Sequence, residues 1–94
     1  MRLRWSRFAL EDRDLIFDYL ANESPQAAIA VDIEIEQQIS LLATFPGSGR
    51  IGRVPETREL IINRTPYIAA YKSTADTVIV LRILHSAQMW PDKV

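Results

Sequence analysis

Two side chains in this 94-residue chain stand where chemistry would need them: Arg82, inside the run Val78 to Leu84, and His85, the only histidine, at its end. An imidazole titrates near neutrality and can act as a general acid or base. Guanidiniums such as Arg82, Arg58 and Arg64 can stabilise phosphate charge through paired hydrogen bonds. The run itself reads V-I-V-L-R-I-L, apolar on both pleat faces, the pattern of a strand covered on two sides. A guanidinium in such a strand is costly unless it is paired or faces a wet groove. Strict alternation sets Arg82 on one face with Val80 and Leu84, and His85 on the other with Leu81 and Ile83. A shared catalytic centre therefore requires a bulge or bend between them. Without one, the run is a core strand in which Arg82 pairs with an acid such as Asp12.

A second group of cations lies in Phe45–Pro55, a segment with three glycines, two prolines and the arginines Arg50 and Arg53. Glycines beside arginines let backbone and guanidinium approach an anion together. The segment contains neither G-x-x-x-x-G-K-[ST] nor G-x-G-x-x-G, so it does not read as a nucleotide-binding loop. There is no cysteine and only one histidine, which excludes thiolate chemistry and disulfides and argues against a zinc centre. No cofactor or metal is expected.

The elements that must position these residues follow from periodicity and caps. Residues 2–5 form a short strand; Ser6 is an N-cap, and Arg7 to about Ala21 a helix. Phe8, Leu15, Ile16, Tyr19 and Leu20 make its apolar arc, with Asp12 inside the arc and in want of a partner such as Arg82 or Arg58. Ser24-Pro25 restarts a helix that runs to about Thr44, with Ala28, Val31, Ile35, Ile39 and Leu42 as its core stripe. Ile29 and Ile33 lie off that stripe; they pack on the first helix, the reading we favour, or form a partner or dimer surface. Strands follow at 58–62, 67–72, with Tyr67 and Tyr71 on one face, and 77–85, joined by connections short enough to dictate antiparallel pairing. The order β-α-α-β-β-β gives an α+β fold, a helical hairpin packed on one face of a small curved antiparallel sheet. The opposite face is expected to form a shallow groove.

Length and composition fit one domain spanning 1–94, and no window approaches the ~18 apolar residues of a membrane span. With no secretory pattern at the N-terminus, a cytoplasmic protein is expected. Residues 1–45 carry four basic and eight acidic side chains, residues 46–94 seven basic and four acidic. The basic half suits an anionic partner or acidic tail, or the two halves attract each other within the fold. A near-zero net charge without interleaved aromatics argues against direct nucleic-acid binding.

The Trp5-Ser6 start, the two helices, G-R-x-G-R-V-P-E-T-R-E-L across Gly49–Leu60, P-Y-I-A-A-Y across Pro66–Tyr71 and L-R-x-L-H-x-A-x-x-W-P across Leu81–Pro91 resemble the RelE/ParE superfamily over nearly the whole chain. These are the toxins of bacterial type II toxin–antitoxin modules. The resemblance implies a growth-inhibiting toxin, of the kind used in plasmid maintenance, held inactive by a cognate antitoxin. The antitoxin's flexible C-terminal segment would wrap the helices and sheet, giving a hetero-oligomer that meets operator DNA only through the antitoxin. RelE-like members enter the ribosome and cut mRNA; ParE-like members poison DNA gyrase without a catalytic set.

For a RelE-like endoribonuclease the catalytic residues would be His85, Arg82 and Arg58. Here, however, the middle loop has only Arg50 and Arg53, glutamine (Gln88) follows the last strand where many relatives have arginine, and no tyrosine follows it. The T-R-E-L and H-x-A-x-x-W-P patterns are closer to the ParE-like branch, which implies gyrase inhibition. The alternatives are ribosome-dependent mRNA cleavage and a degenerate toxin that only binds antitoxin. Target or antitoxin contacts are expected at Arg50, Arg53, Arg64, Ile29, Ile33 and Trp90. Arg82 could also receive a carboxylate from the antitoxin.

Overall fold

Ser6 marks where the chain turns from strand to helix. In the computed structural model, which describes residues 1–94, β1 (Arg2–Trp5) ends beside it and α1 (Arg7–Ala21) begins beyond it. The Ser6 hydroxyl accepts from Ala9 N at 3.1 Å and donates to Leu81 O at 2.8 Å, capping the helix and tying it to the sheet. Ser24 caps α2 (Pro25–Ser40) in the same way, with proline at the first turn. The helix ends four residues before the expected Thr44. A 3-10 turn over Leu41–Ala43 closes it, because Phe45 precedes a proline and is biased away from helical backbone.

β2 (Arg50–Ile51), β3 (Arg58–Ile61), β4 (Tyr67–Ser73) and β5 (Thr77–His85) complete a five-stranded sheet of order β1-β5-β4-β3-β2. The three long C-terminal strands pair antiparallel as expected. The sheet as a whole is mixed, because β1 joins β5 in parallel. The segment 45–55 is not all loop, since Arg50 and Ile51 pair with Glu59 and Arg58. Two residues carry too little periodicity to announce a strand.

The core lies between helices and sheet: Ile35, Ile39 and Leu42 from the α2 side, Ala9 from α1, and Tyr67, Ala69, Tyr71, Val78, Val80 and Ile83 from β4 and β5. Truncating Ile35 or Ile39, both fully buried, would cost about 2–5 kcal/mol. On α1 the expected apolar arc is corrected. The stripe turned inward is Ala9, Asp12, Ile16 and Leu20, while Phe8, Leu15 and Tyr19 are exposed. The helix lies against β5, leaving its far flank uncovered.

One irregularity resets the faces of β5. Ala70 pairs with Arg82 but Tyr71 with Val80, so Leu81 is a bulge. Val80, Ile83 and His85 therefore share the helix-covered face, and Arg82 and Leu84 the outer one. The alternation expected from sequence holds after the bulge and is inverted before it. Beyond His85 the chain returns over the outer face, where Lys93 and Val94 share a cleft with Val54, Thr57, Lys72 and Leu81.

Candidate functional site

The outer face of the sheet carries a cross-strand row Arg50, Glu59, Ala70, Arg82, one residue from each of four neighbouring strands. Glu59 is the anchor of this row, 3 % exposed. Its Oε1 accepts from Arg50 Nε and Nη2 at 3.1 and 2.9 Å, and from Arg53 Nη2 at 3.2 Å. Its Oε2 accepts from the Arg53 backbone N–H at 2.8 Å and from Arg53 Nε at 3.1 Å. Burial alone would raise the Glu59 pKa, but the hydrogen bonds from Arg53 and Arg50 outweigh it and hold the carboxyl below its ordinary range. Arg53 also stacks over the Trp90 ring, 3.6 Å from its centroid, pinning the returning C-terminal segment.

The local fold places these two arginines. Gly49 N donates to the Tyr71 hydroxyl at 2.9 Å, and that hydroxyl donates to Pro46 O at 2.7 Å. Arg58 Nη1 donates to Gly49 O at 2.9 Å. Gly49 is thus held on both sides, and a Cβ there would stand 2.6 Å from the Tyr71 oxygen. Arg50 follows at once as the first residue of β2. Beside it opens a cleft of about 290 Å³ lined by Arg50, Arg53, Thr65, Ile68 and Ser86, among others.

A second concavity lies on the helix side, about 500 Å³, between the exposed flank of α1 (Leu15, Ile16, Tyr19, Leu20) and Pro66, Tyr67 and His85. Its lining is largely apolar. His85 meets the Tyr67 ring edge-on, centroids 5.5 Å apart, and its Nδ1 accepts from Ala87 N at 3.0 Å. Burial and the nearby Tyr19 push the Tyr67 phenol up.

The structure does not bring His85, Arg82 and Arg58 together. Arg82 lies on the outer face, and both of its engaged nitrogens donate to Asp12, at 2.7 and 3.0 Å. Asp12 keeps the Arg82 pKa above its ordinary value. Arg58 and His85 occupy the helix face but pair with Tyr71 and Tyr67, four residues or about 13 Å apart along β4.

Of the expected contact residues, Arg50, Arg53 and Trp90 form one cluster. Arg64 sits elsewhere, at the β3–β4 turn with φ 68°, its guanidinium on Glu34 at 2.6 and 2.9 Å. Ile29 and Ile33 are half exposed. The contact between α1 and α2 includes ion pairs from Arg13 to Asp32 and Glu36. Glu59 and the Leu15–Tyr19 flank were not among the expected site residues. The signal for Glu59 was a lone acid in the otherwise apolar stretch Glu59–Ile62.

Comparison with known proteins fits this architecture. Residues 3–90 match the family described as ParE toxin of type II toxin–antitoxin system, parDE. The Sinorhizobium fredii protein Y4kP is 40 % identical over 90 residues, covering 96 % of this chain and 93 % of that protein. Toxin RelE2 of Caulobacter vibrioides is 32 % identical over 85 residues, covering 90 % and 94 %. Among solved structures, the chromosomal ParDE TA system from P. aeruginosa superposes with a TM-score of 0.81 at 32 % identity, covering 90 % of this chain and 95 % of that one.

Proposed function

Because this chain belongs to the ParE toxin family and is the toxin of a type II toxin–antitoxin module, we propose that it acts as ParE-like toxins do, by binding and inhibiting DNA gyrase in the cytoplasm. The observation that carries this reading is the dispersal of the three candidate catalytic residues. Cleavage of RNA needs a base for the 2′-OH, an acid for the leaving oxygen and cations at the phosphate, converging within hydrogen-bond reach. Arg82 is spent on Asp12 and Arg58 on Gly49 O, and His85 accepts a backbone hydrogen bond. What the surface offers instead is contact area: the α1 flank with Leu15 and Tyr19, the Ile29/Ile33 pair and the Arg50/Arg53 corner.

We assign the apolar α1 groove and the Ile29/Ile33 pair to the antitoxin, which covers them and so restrains the toxin. The decisive experiment is a supercoiling assay with purified gyrase and this chain, with and without antitoxin. Inhibition relieved by antitoxin supports the proposal. Unaffected supercoiling, together with messages cut at codons in primer extension, would replace it with ribosome-dependent RNA cleavage, the RelE-like alternative. Neither effect, with growth unchanged, would leave a chain that only binds antitoxin.

A further inference from the structure

We propose that the cleft beside Arg50 and Arg53 is a receptor for a single carboxylate side chain of a protein partner. The inference rests on the reading that this toxin works through protein–protein contact, and it names the chemistry of one such contact. The hydrogen-bond inventory of the cleft is incomplete in one sense only: donors are in surplus. Arg50 spends Nε and Nη2 on Glu59, and Arg53 spends Nε and Nη2 on the same carboxylate. The Nη1 groups of both, and the hydroxyl of Ser86, have no partner within the chain. Two guanidiniums against one buried carboxylate leave one unit of positive charge, on arginines 50 % and 44 % exposed.

The other arginines bound in ion pairs are differently placed. Arg13 meets two acids, and Arg7, Arg64 and Arg82 one each, which leaves no surplus at those positions. Pre-organisation distinguishes the cleft as well. Glu59 fixes both guanidiniums from beneath and Arg53 is further held on Trp90, so an incoming anion orders little side-chain freedom.

Charge and shape together favour a carboxylate over a nucleic-acid backbone. A phosphodiester strand calls for a row of unpaired cations and open aromatic faces. Here the net charge is one, Trp90 lies under Arg53, and Tyr67 is buried. A volume of about 290 Å³ with Ile61, Pro66 and Ile68 in its lining suits one acidic side chain with an apolar neighbour. Arginine forks match carboxylate geometry.

The test follows the arginine Nε–H signals of the 15N-labelled chain during titration with three probes. These are a capped pentapeptide with one glutamate between leucines, the same peptide with glutamine, and a single-stranded RNA of five nucleotides. The expected result is saturable movement of the Arg50 and Arg53 signals and the Ser86 amide with the glutamate peptide. Binding should be about tenfold weaker for the glutamine peptide and for Arg50→Gln, the loss of one charge-assisted contact. Ser86→Ala, which leaves the arginines in place, should weaken it less. Equal binding of both peptides, movement with RNA alone, or no movement up to millimolar peptide would overturn the proposal. Gyrase plays no part in this readout. A chain that takes the glutamate peptide but leaves supercoiling untouched therefore retains the carboxylate site and loses only its assigned target.

Discussion

Asp12 on α1 closes the open edge of β5 through Arg82. The carboxylate accepts from Arg82 Nε and Nη2 at 2.7 and 3.0 Å, and the same Oδ2 accepts from the Ile83 backbone N–H at 2.9 Å. β1 covers β5 only as far as Val80. Beyond that point the strand would present unpaired backbone groups. Ser6, which takes Val80 O and Leu81 O, and then Asp12 satisfy them from the helix. The pair thus joins α1 to the sheet and spends the charge that made Arg82 a catalytic candidate.

Removing the carboxylate should therefore be expensive. Asp12→Ala leaves a largely buried guanidinium without its partner and an amide without an acceptor, and should destabilise the chain by about 3 kcal/mol. Asp12→Asn keeps an acceptor for Ile83 N–H and should cost visibly less. Urea unfolding of both variants checks this. A loss below about 1 kcal/mol for Asp12→Ala, the range of exposed pairs, would show that the edge is sealed by packing alone.

Gly49 and Tyr71 form the second link, between the core and the arginine corner. Gly49→Ala drives a methyl group against the Tyr71 hydroxyl and should cost about 1–3 kcal/mol by overpacking. Tyr71→Phe removes two hydrogen bonds at a fully buried ring and should cost a similar amount, about 1–3 kcal/mol. Because the two residues touch, the double variant should fall short of the sum. Thermal unfolding of the three variants reads this; strict additivity would mean that the contact carries no coupling.

The sequence showed most of this frame, and the reasons for its failures are physical. Caps at Ser6 and Ser24, the Ile35–Leu42 stripe and the β5 run are local signals, and each appears where expected. The Asp12–Arg82 pair was legible because an acid in an apolar arc and a cation in an apolar strand each need a partner. The bulge at Leu81 was not, since two-residue periodicity contains no mark of a one-residue slip among Val, Ile and Leu. Glu59 was missed for a related reason. Its role depends on Arg50 and Arg53 folding back across a turn whose residue Glu56 has φ 66°, a long-range outcome of the loop. The exposure of Leu15 and Tyr19 depends on where α1 crosses the sheet, which helical spacing does not determine.

Acid should unfold the chain by releasing its arginine partners. Hydrogen bonds from Arg64 and Gln38 hold Glu34 at about 2, below its ordinary 4.5, and Arg53 and Arg50 lower Glu59 against the effect of its burial. A folded pKa below the unfolded one contributes stability that is complete above the unfolded value and lost as pH falls through the folded one. Stability should therefore be flat between pH 7 and about 5 and decline between about 4.5 and 2. Glu34→Gln should flatten part of that decline, and high salt should shrink its share because the Arg64 pair is at the surface. Urea midpoints measured across this range test the sign; a rise in stability on acidification would reverse it.

His85 decides between contact and catalysis. Its Nδ1 accepts the Ala87 amide, so the neutral ring with its proton on Nε2 fits the geometry, and its ring packs on Tyr67 in the groove beside α1. A structural imidazole of this kind can be exchanged for asparagine, whose side-chain oxygen can still accept from Ala87 N. His85→Asn should fold, bind antitoxin and inhibit growth within about twofold of the parent chain. An acid or base in RNA cleavage would instead lose about 10²–10⁴ in rate on the same substitution. Growth inhibition in cells expressing each variant, normalised to toxin level, separates the two. Abolished toxicity in a folded, antitoxin-binding His85→Asn would return His85 to the active-site set and with it the ribonuclease reading.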